Sequence, residues 1–382
     1  MEHLVFRRSR GQERGSVSDR IAWAGGQINA MTAYDYTLFH VLVCADAIDE
    51  GIEVLAQMLG QPPANGSEIA TERGIVLEEV RRSNDKPSNR MLQGLMSGAF
   101  AHHPYGRPIL GTPQSVEQID AQAIADYQRR WYRRGNLHLV AVGDLAGCDL
   151  ERRVASAFER VQAGGPMERS RPLEPLPTVM QVSTREGQSQ ETYFGLGWRR
   201  MPEHAADGIA LDLLCVLLTG GESFRLHRRL KRDRGLVSSC HASHMAMRDP
   251  GIVIISGTAG PTVEPHDSLA AIATEVVQLS RECVPDEEFT RARRVLLSQS
   301  IYRRETVQGW AQRIGLHTTM HHDPHHEQRW QQQLDALTPD DLRRAARRLV
   351  EPGPASLSLC YGVGHRSRSE RALRELMVDA CR

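Results

Sequence analysis

Two residues at the start of the chain, Glu2 and His3, and two on a later helical stretch, Glu72 and Glu79, are of types that can do hydrolytic chemistry together. Glu2-His3 followed by Leu4, Val5 and Phe6 looks like the second half of His-x-x-Glu-His. In that pattern two histidines on one helix face reach one metal ion. The glutamate beside the second histidine can hold and deprotonate a metal-bound water. The first histidine of the pattern would fall two positions before Met1. Glu72 and Glu79 are about two helical turns apart, so their carboxylates share a face.

These residues need elements to hold them, and the sequence supplies candidates. Ser16 reads as the cap of a short helix over 16–24, ended by Gly25-Gly26. Strands are predicted over 27–32 and 36–43, the second rich in β-formers. A helix over 45–59 places Ile48, Ile52, Leu55 and Leu59 at helical spacing, and Gly60-Gln61-Pro62-Pro63 stops it. Further helices are predicted over 69–82 and 89–102, then a turn-rich loop from His103. The stretch 115–133 reads as one helix opening on a capping box, Ser115-x-x-Gln118. An apolar strand over 136–143 closes this half.

Residues 162–177 dissolve into Gly, Pro, Glu and Arg and read as a linker. A second series follows: a strand over 191–200, a helix over 205–218 ended by Gly220-Gly221, and a helix over 223–232. Strands over 237–247 and 251–257 are joined through Asp249-Pro250. Helices are then predicted over 265–283, 286–303, 306–320 and 340–350, the last capped by Thr338, before a strand over 355–361. Both halves run helix, strand pair, helices, then a Ser/Thr-capped helix and a final apolar strand. The expectation is therefore an α+β fold with two homologous, duplicated domains at 1–161 and 178–382, each an antiparallel sheet covered by helices. The strand and helix over 191–218 have no counterpart in the first half. The repeat thus leads to the expectation that an N-terminal segment of several tens of residues is absent from this chain.

With 382 residues the chain can build two cores. Its apolar content of 40% and charged content of 25% are those of an ordinary soluble globular protein. Net charge is zero, so no overall field favours nucleic acid or an anionic membrane. No apolar run approaches a bilayer span, and the N-terminus lacks the order of a signal peptide. The basic residues are nearly all arginine, with Lys86 and Lys231 the only lysines, which reads as codon composition. The seven cysteines are scattered without a CxxC pair and read as reduced thiols of the cytoplasm. The run His317, His321, His322, His325 and His326 reads as a polar surface loop broken by Pro324.

Taken in order, several segments resemble the M16 peptidases, the family of insulinase, pitrilysin and the mitochondrial processing peptidases. They are Glu2-His3-Leu4-Val5-Phe6, the stretch 25–32, the stretch 72–79, His103-Pro104-Tyr105-Gly106, Gly111-Thr112-Pro113, and the region from Arg225-Leu226 to Arg234-Gly235-Leu236. The resemblance covers essentially the whole chain and is nearest to the shorter, two-domain bacterial members. It implies a clamshell that encloses flexible peptides in a chamber. It implies Zn2+ as cofactor, with His3 and Glu79 as metal ligands, Glu2 as general base, and Glu72 supporting the site from behind the ligands. It also implies that Asn29, Ala30 and Thr32 lie on a strand edge where a substrate peptide adds as a further strand.

Catalytic zinc takes three protein ligands and one open position for water. Glu79 can bring a hard oxygen to a site begun by His3, and Glu2 is adjacent to a ligand. Active members often carry an Arg and a Tyr in the second half that hold substrate, and the matching positions here are Lys231 and Ser238. Lysine keeps the charge without the bidentate fork, and serine lacks the phenol. The expected function is zinc-dependent cleavage of peptides, as a homodimer or as the zinc-bearing chain of a heterodimer with a second M16-like chain. The alternative is an inactive M16-like subunit that binds a peptide or a partner chain.

Overall fold

The computed structural model describes residues 1–7, 16–61, 65–165, 167, 172–175, 178–200, 207–249, 251–260, 262–363 and 369–380. In chain order the first elements are α1 (Glu2–Arg7), α2 (Val17–Trp23), β1 (Gln27–Thr32), β2 (Thr37–Leu42), α3 (Ile48–Gly60), α4 (Gly66–Asp85) and α5 (Pro87–Ala99). Then come α6 (Pro113–Glu117), α7 (Ala121–Trp131), α8 (Leu150–Phe158), β3 (Gln181–Glu186), β4 (Tyr193–Arg199) and α9 (Gly208–Thr219). The remainder are β5 (Val237–Met245), β6 (Ile252–Ala259), α10 (Pro265–Arg281), α11 (Asp286–Tyr302), α12 (Val307–His321), α13 (His326–Ala336), α14 (Pro339–Val350), β7 (Ser356–Tyr361) and α15 (Glu370–Ala380). The residues group into two compact units. Unit 1 is Met1–Arg81, Ile109–Ser170 and Arg303–Pro324; unit 2 is Arg82–Pro108, Arg171–Tyr302 and His325–Arg382.

Unit 1 carries the candidate site. Its second helix starts where Ser16 and Asp19 satisfy each other's backbone N–H groups in a capping box, each at 3.1 Å. It stops at Gly25, whose φ of +69° is in the left-handed region that glycine reaches without a Cβ penalty. The chain then enters β1, which pairs with β2 antiparallel in register from Gln27↔Leu42 to Thr32↔Thr37. Ile28, Phe39 and Val41 pack on a core that includes Val17, Ile21, Ile52 and Met58. Alternation along the hairpin thus sends one face inward and leaves the other to polar residues such as Asn29 and His40.

Helix α1 is only six residues long, too short to hold itself in water. Two adjacent buried side chains hold it instead. Leu4 joins Ile69 of α4 and Ile124 of α7, while Val5 joins the larger core. Burying each contributes roughly 1.5–3 kcal/mol.

Unit 2 is built on a five-stranded sheet of order β3-β7-β4-β6-β5. Pairing is antiparallel except between β3 and β7, which run parallel. One face gives Phe194, Leu196, Trp198, Leu357 and Leu359 to a core shared with α9, α10 and α14. On the other face α5 seats closely because the facing residues are small. A Cβ built on Gly94 would stand 2.7 Å from the hydroxyls of both Ser183 and Ser358.

Several expectations are corrected. No strand forms over 136–143: residues 134–136 make a 3-10 turn, Leu137 is extended, and no ladder partner flanks it among the described residues. The stretch 115–133 is two helices. The capping box is Thr112 with Ser115, and Asp120 starts α7 afresh by accepting the Ala123 N–H at 2.7 Å. Within the histidine run His317 lies on α12, as the helix predicted over 306–320 places it, buried at 5% exposure; His321 ends that helix, and residues 322–325 around Pro324 are non-helical. Helices α8, α13 and α15 and strand β3 were not anticipated from the sequence. Pro62, Pro63, Pro250, Cys381, the start of the expected helix over 205–218 and part of the expected linker over 162–177 lie outside the described residues.

Candidate metal centre

His3 and Glu2 occupy the first turn of α1, and Glu72 and Glu79 lie two turns apart along α4. The Leu4–Ile69 contact brings the two helices together at this point. As a result the His3 imidazole lies between two carboxylates. Its Nδ1 is 3.4 Å from Glu72 Oε2, and its Nε2 is 3.4 Å from Glu79 Oε2. The carboxylates differ in setting. The Glu72 side chain is 10% exposed, while Glu79 is 47% exposed, so only Glu79 stands open to an incoming ligand.

Two of the three protein ligands that catalytic zinc takes are brought together here, His3 and Glu79, and that pair suits zinc in kind and in spacing. Two ligands about 2.1 Å from a tetrahedral metal lie about 3.4 Å from each other, and His3 Nε2 and Glu79 Oε2 have that separation. Metal-bound histidines ordinarily turn their other nitrogen to a carboxylate, which fixes the ring and makes it more basic. Glu72 faces His3 Nδ1 in that manner.

Glu2 is held from β1: the Thr32 hydroxyl donates to Glu2 Oε2. Asn29 and Ala30 lie on the same strand, where the Ala30 N–H donates to Asn29 Oδ1 at 2.8 Å. Among the described residues β1 is laddered on one side only, by β2. Glu2, His3, Glu72, Glu79 and Thr32 thus come together in unit 1, with Asn29 and Ala30 beside them on β1. Lys231 and Ser238 belong to unit 2. Lys231 is exposed on a π-helical turn, His227–Arg232. The Ser238 hydroxyl donates to the Ala259 carbonyl at 3.3 Å, at an irregularity in the β5–β6 register.

Two further residues stand behind the site without having been singled out from sequence. Thr37, the register partner of Thr32, lies beside Tyr132, a residue 9% exposed. Burial above all pushes the Tyr132 phenol up, and the charges of Tyr127 and Glu2 add to it. The pairing of Thr32 with Thr37 follows from the hairpin register, so Thr37 could have been found by drawing the hairpin out.

A family model for the insulinase family of M16 peptidases matches residues 1–113, and one described as the peptidase M16 inactive domain matches residues 118–296. The chain belongs to the M16 peptidase family. It is 25% identical over 93% of its length to an uncharacterized zinc protease of Streptomyces coelicolor, covering 78% of that protein. It is 24% identical over 68% of its length to an uncharacterized zinc protease of Bacillus subtilis, covering 63% of that protein. A protease from Helicobacter pylori superposes with a TM-score of 0.87 at 20% identity, over 94% of this chain and 88% of that one. The peptidase M16 inactive domain from Pseudomonas fluorescens gives 0.81 at 15% identity, over 96% and 89%. At these identities the solved structures establish the fold alone, an α+β architecture of M16 type. Among the described residues no helix is long and apolar enough to cross a membrane.

Proposed function

We propose that this chain is a zinc-dependent endopeptidase acting on peptides, as the zinc-bearing subunit of a homodimer or of a heterodimer with a second M16-like chain. The reading is carried by one observation: the His3 imidazole lies between Glu72 and Glu79 at 3.4 Å from each. Membership of a peptidase family and the zinc protease names of relatives support it. The subunit role is supported by Lys231 and Ser238, which stand where the resemblance places a substrate-holding Arg and Tyr. A cytoplasmic setting goes with the six described cysteines, which are free thiols.

His3 Nε2 and Glu79 are the residues of this chain that would hold zinc, with Glu72 orienting His3 through Nδ1. When bound, zinc polarises the scissile carbonyl and acidifies the attacking water. Glu2 takes the proton of that water as its oxygen bonds to the carbonyl carbon. Glu2 then delivers the proton to the amide nitrogen as the C–N bond breaks, so the amine leaves neutral. The open edge of β1 lets an extended peptide hydrogen-bond along Asn29, Ala30 and Thr32, aligning the scissile bond.

The test is zinc content together with cleavage of a quenched peptide, with Glu2→Gln as control. Cleavage should require zinc and should fall by roughly 10²–10⁴-fold in Glu2→Gln. Cleavage at the wild-type rate in that variant overturns the reading. Zinc binding and peptide binding without cleavage would favour the second reading, a subunit that binds a peptide or partner chain. The Lys231 and Ser238 departures are compatible with that second reading as well.

A further inference from the structure

We infer that Thr32 is a positioning residue for Glu2, braced across the β1–β2 hairpin by Thr37 and Tyr132. The inference rests on the reading of Glu2 as general base and adds what fixes the place of that base. Glu2 is a long side chain on the first turn of a short helix, and left alone it would sample several rotamers. The Thr32 hydroxyl donates to its Oε2. A hydrogen bond from a hydroxyl to an ionised carboxylate is among the stronger kinds. Threonine suits the task because its branched Cβ restricts χ1, leaving the hydroxyl few places to be.

The strand supports that hydroxyl from behind. Thr32 is the last residue of β1 and is paired with Thr37, the first of β2. The connection between them is closed by the Ala33 N–H donating to the Tyr36 carbonyl at 2.8 Å. Thr37 lies beside the buried Tyr132, whose ring meets Phe39 edge-on at 6.3 Å. Tyr132, Thr37, Thr32 and Glu2 thus form a row of polar groups from the core of unit 1 out to the candidate base. Thr32 itself is exposed, and valine suits a strand, so Thr32→Val should fold.

The experiment compares crystal structures and peptidase kinetics of the full chain as wild type, Thr32→Val and Thr32→Ser. In Thr32→Val the Glu2 carboxylate should leave its place beside β1 while His3, Glu72 and Glu79 stay. Thr32→Ser should keep it there. In the same variants kcat should fall about 10–100-fold for valine and recover for serine, with zinc affinity unchanged. Glu2 remaining in place in Thr32→Val, or serine losing as much kcat as valine, overturns the inference. If the wild-type chain cleaves nothing, the proposed function fails, and the crystal structures alone decide whether Thr32 positions Glu2.

Discussion

His3 Nε2 lies 3.4 Å from Glu79 Oε2, although one residue is in the first turn of the chain and the other is near the far end of a twenty-residue helix. The relationship is made by packing. Leu4 is buried against Ile69, and the α4 face that carries Ile69 also carries Glu72. Once that apolar contact forms, the two helices can place an imidazole and a carboxylate at the spacing a shared metal needs.

Glu72 faces the other side of the same ring, so its effect on zinc should be indirect. Glu72→Gln keeps the shape and removes the charge behind His3 Nδ1. Isothermal titration should show zinc affinity lowered by roughly 10–100-fold. Unchanged affinity would mean that Glu72 plays no part in orienting His3.

In unit 2, Glu174 anchors a connecting segment to the turn after α5. Its carboxylate accepts the N–H groups of Ala101, His102 and His103 at 3.2, 2.8 and 2.6 Å. Arg199 Nη1 stands 3.6 Å away, and both side chains are about 95% buried, with 4% and 5% exposed. Glu174→Ala leaves the guanidinium buried without its counter-charge, which should destabilise the fold by about 3–5 kcal/mol. Guanidinium denaturation measures it, and a change within error would deny the pair a structural role.

Burial lowers the pKa of His40, whose Nε2 meets Gln308 Nε2 at 3.1 Å. Its folded pKa lies below the unfolded value of about 6.5, so on acidification the unfolded chain takes up the proton first. The stability this confers is whole above about pH 6.5 and is lost as pH falls through the folded pKa. Urea midpoints at about pH 7.5 and pH 5.5 should therefore fall further in wild type than in His40→Gln. Parallel falls would contradict the assignment.

Gly94 lets α5 approach the sheet. Gly94→Ala gains about 1 kcal/mol of helix propensity, but its Cβ must displace two serine hydroxyls from a close contact. Overpacking of this kind costs about 1–3 kcal/mol, so the variant should be less stable than wild type in a denaturant titration. Combining it with Ser183→Ala and Ser358→Ala should recover the loss, and a stabilised single variant would show that the seat is slack.

The parts of the fold legible in sequence were those with a local signal. Strand β1 has the bounds its residues predict, and Ser16 and Thr338 cap the helices they announce. A spaced motif is what singles out the candidate metal-site residues, while their meeting depends on the Leu4–Ile69 contact. What escaped lacked a local signal or misled. Strand β3 reads Gln-Val-Ser-Thr-Arg-Glu, and its strand identity comes from lying along the fully buried β7. Residues 136–143 had the apolar run of a strand but no neighbour to ladder with among the described residues. The bond of Thr32 to Glu2 depends on the approach of α1 to β1, which spacing does not encode.

The central claim is that His3 and Glu79 share one divalent cation, and zinc titration of wild type, His3→Ala, Glu79→Gln and Glu2→Gln tests it most directly. The account predicts one zinc per chain, an affinity lowered by more than about tenfold in His3→Ala and in Glu79→Gln, and little change in Glu2→Gln. Zinc binding that survives both His3→Ala and Glu79→Gln at wild-type affinity would contradict it.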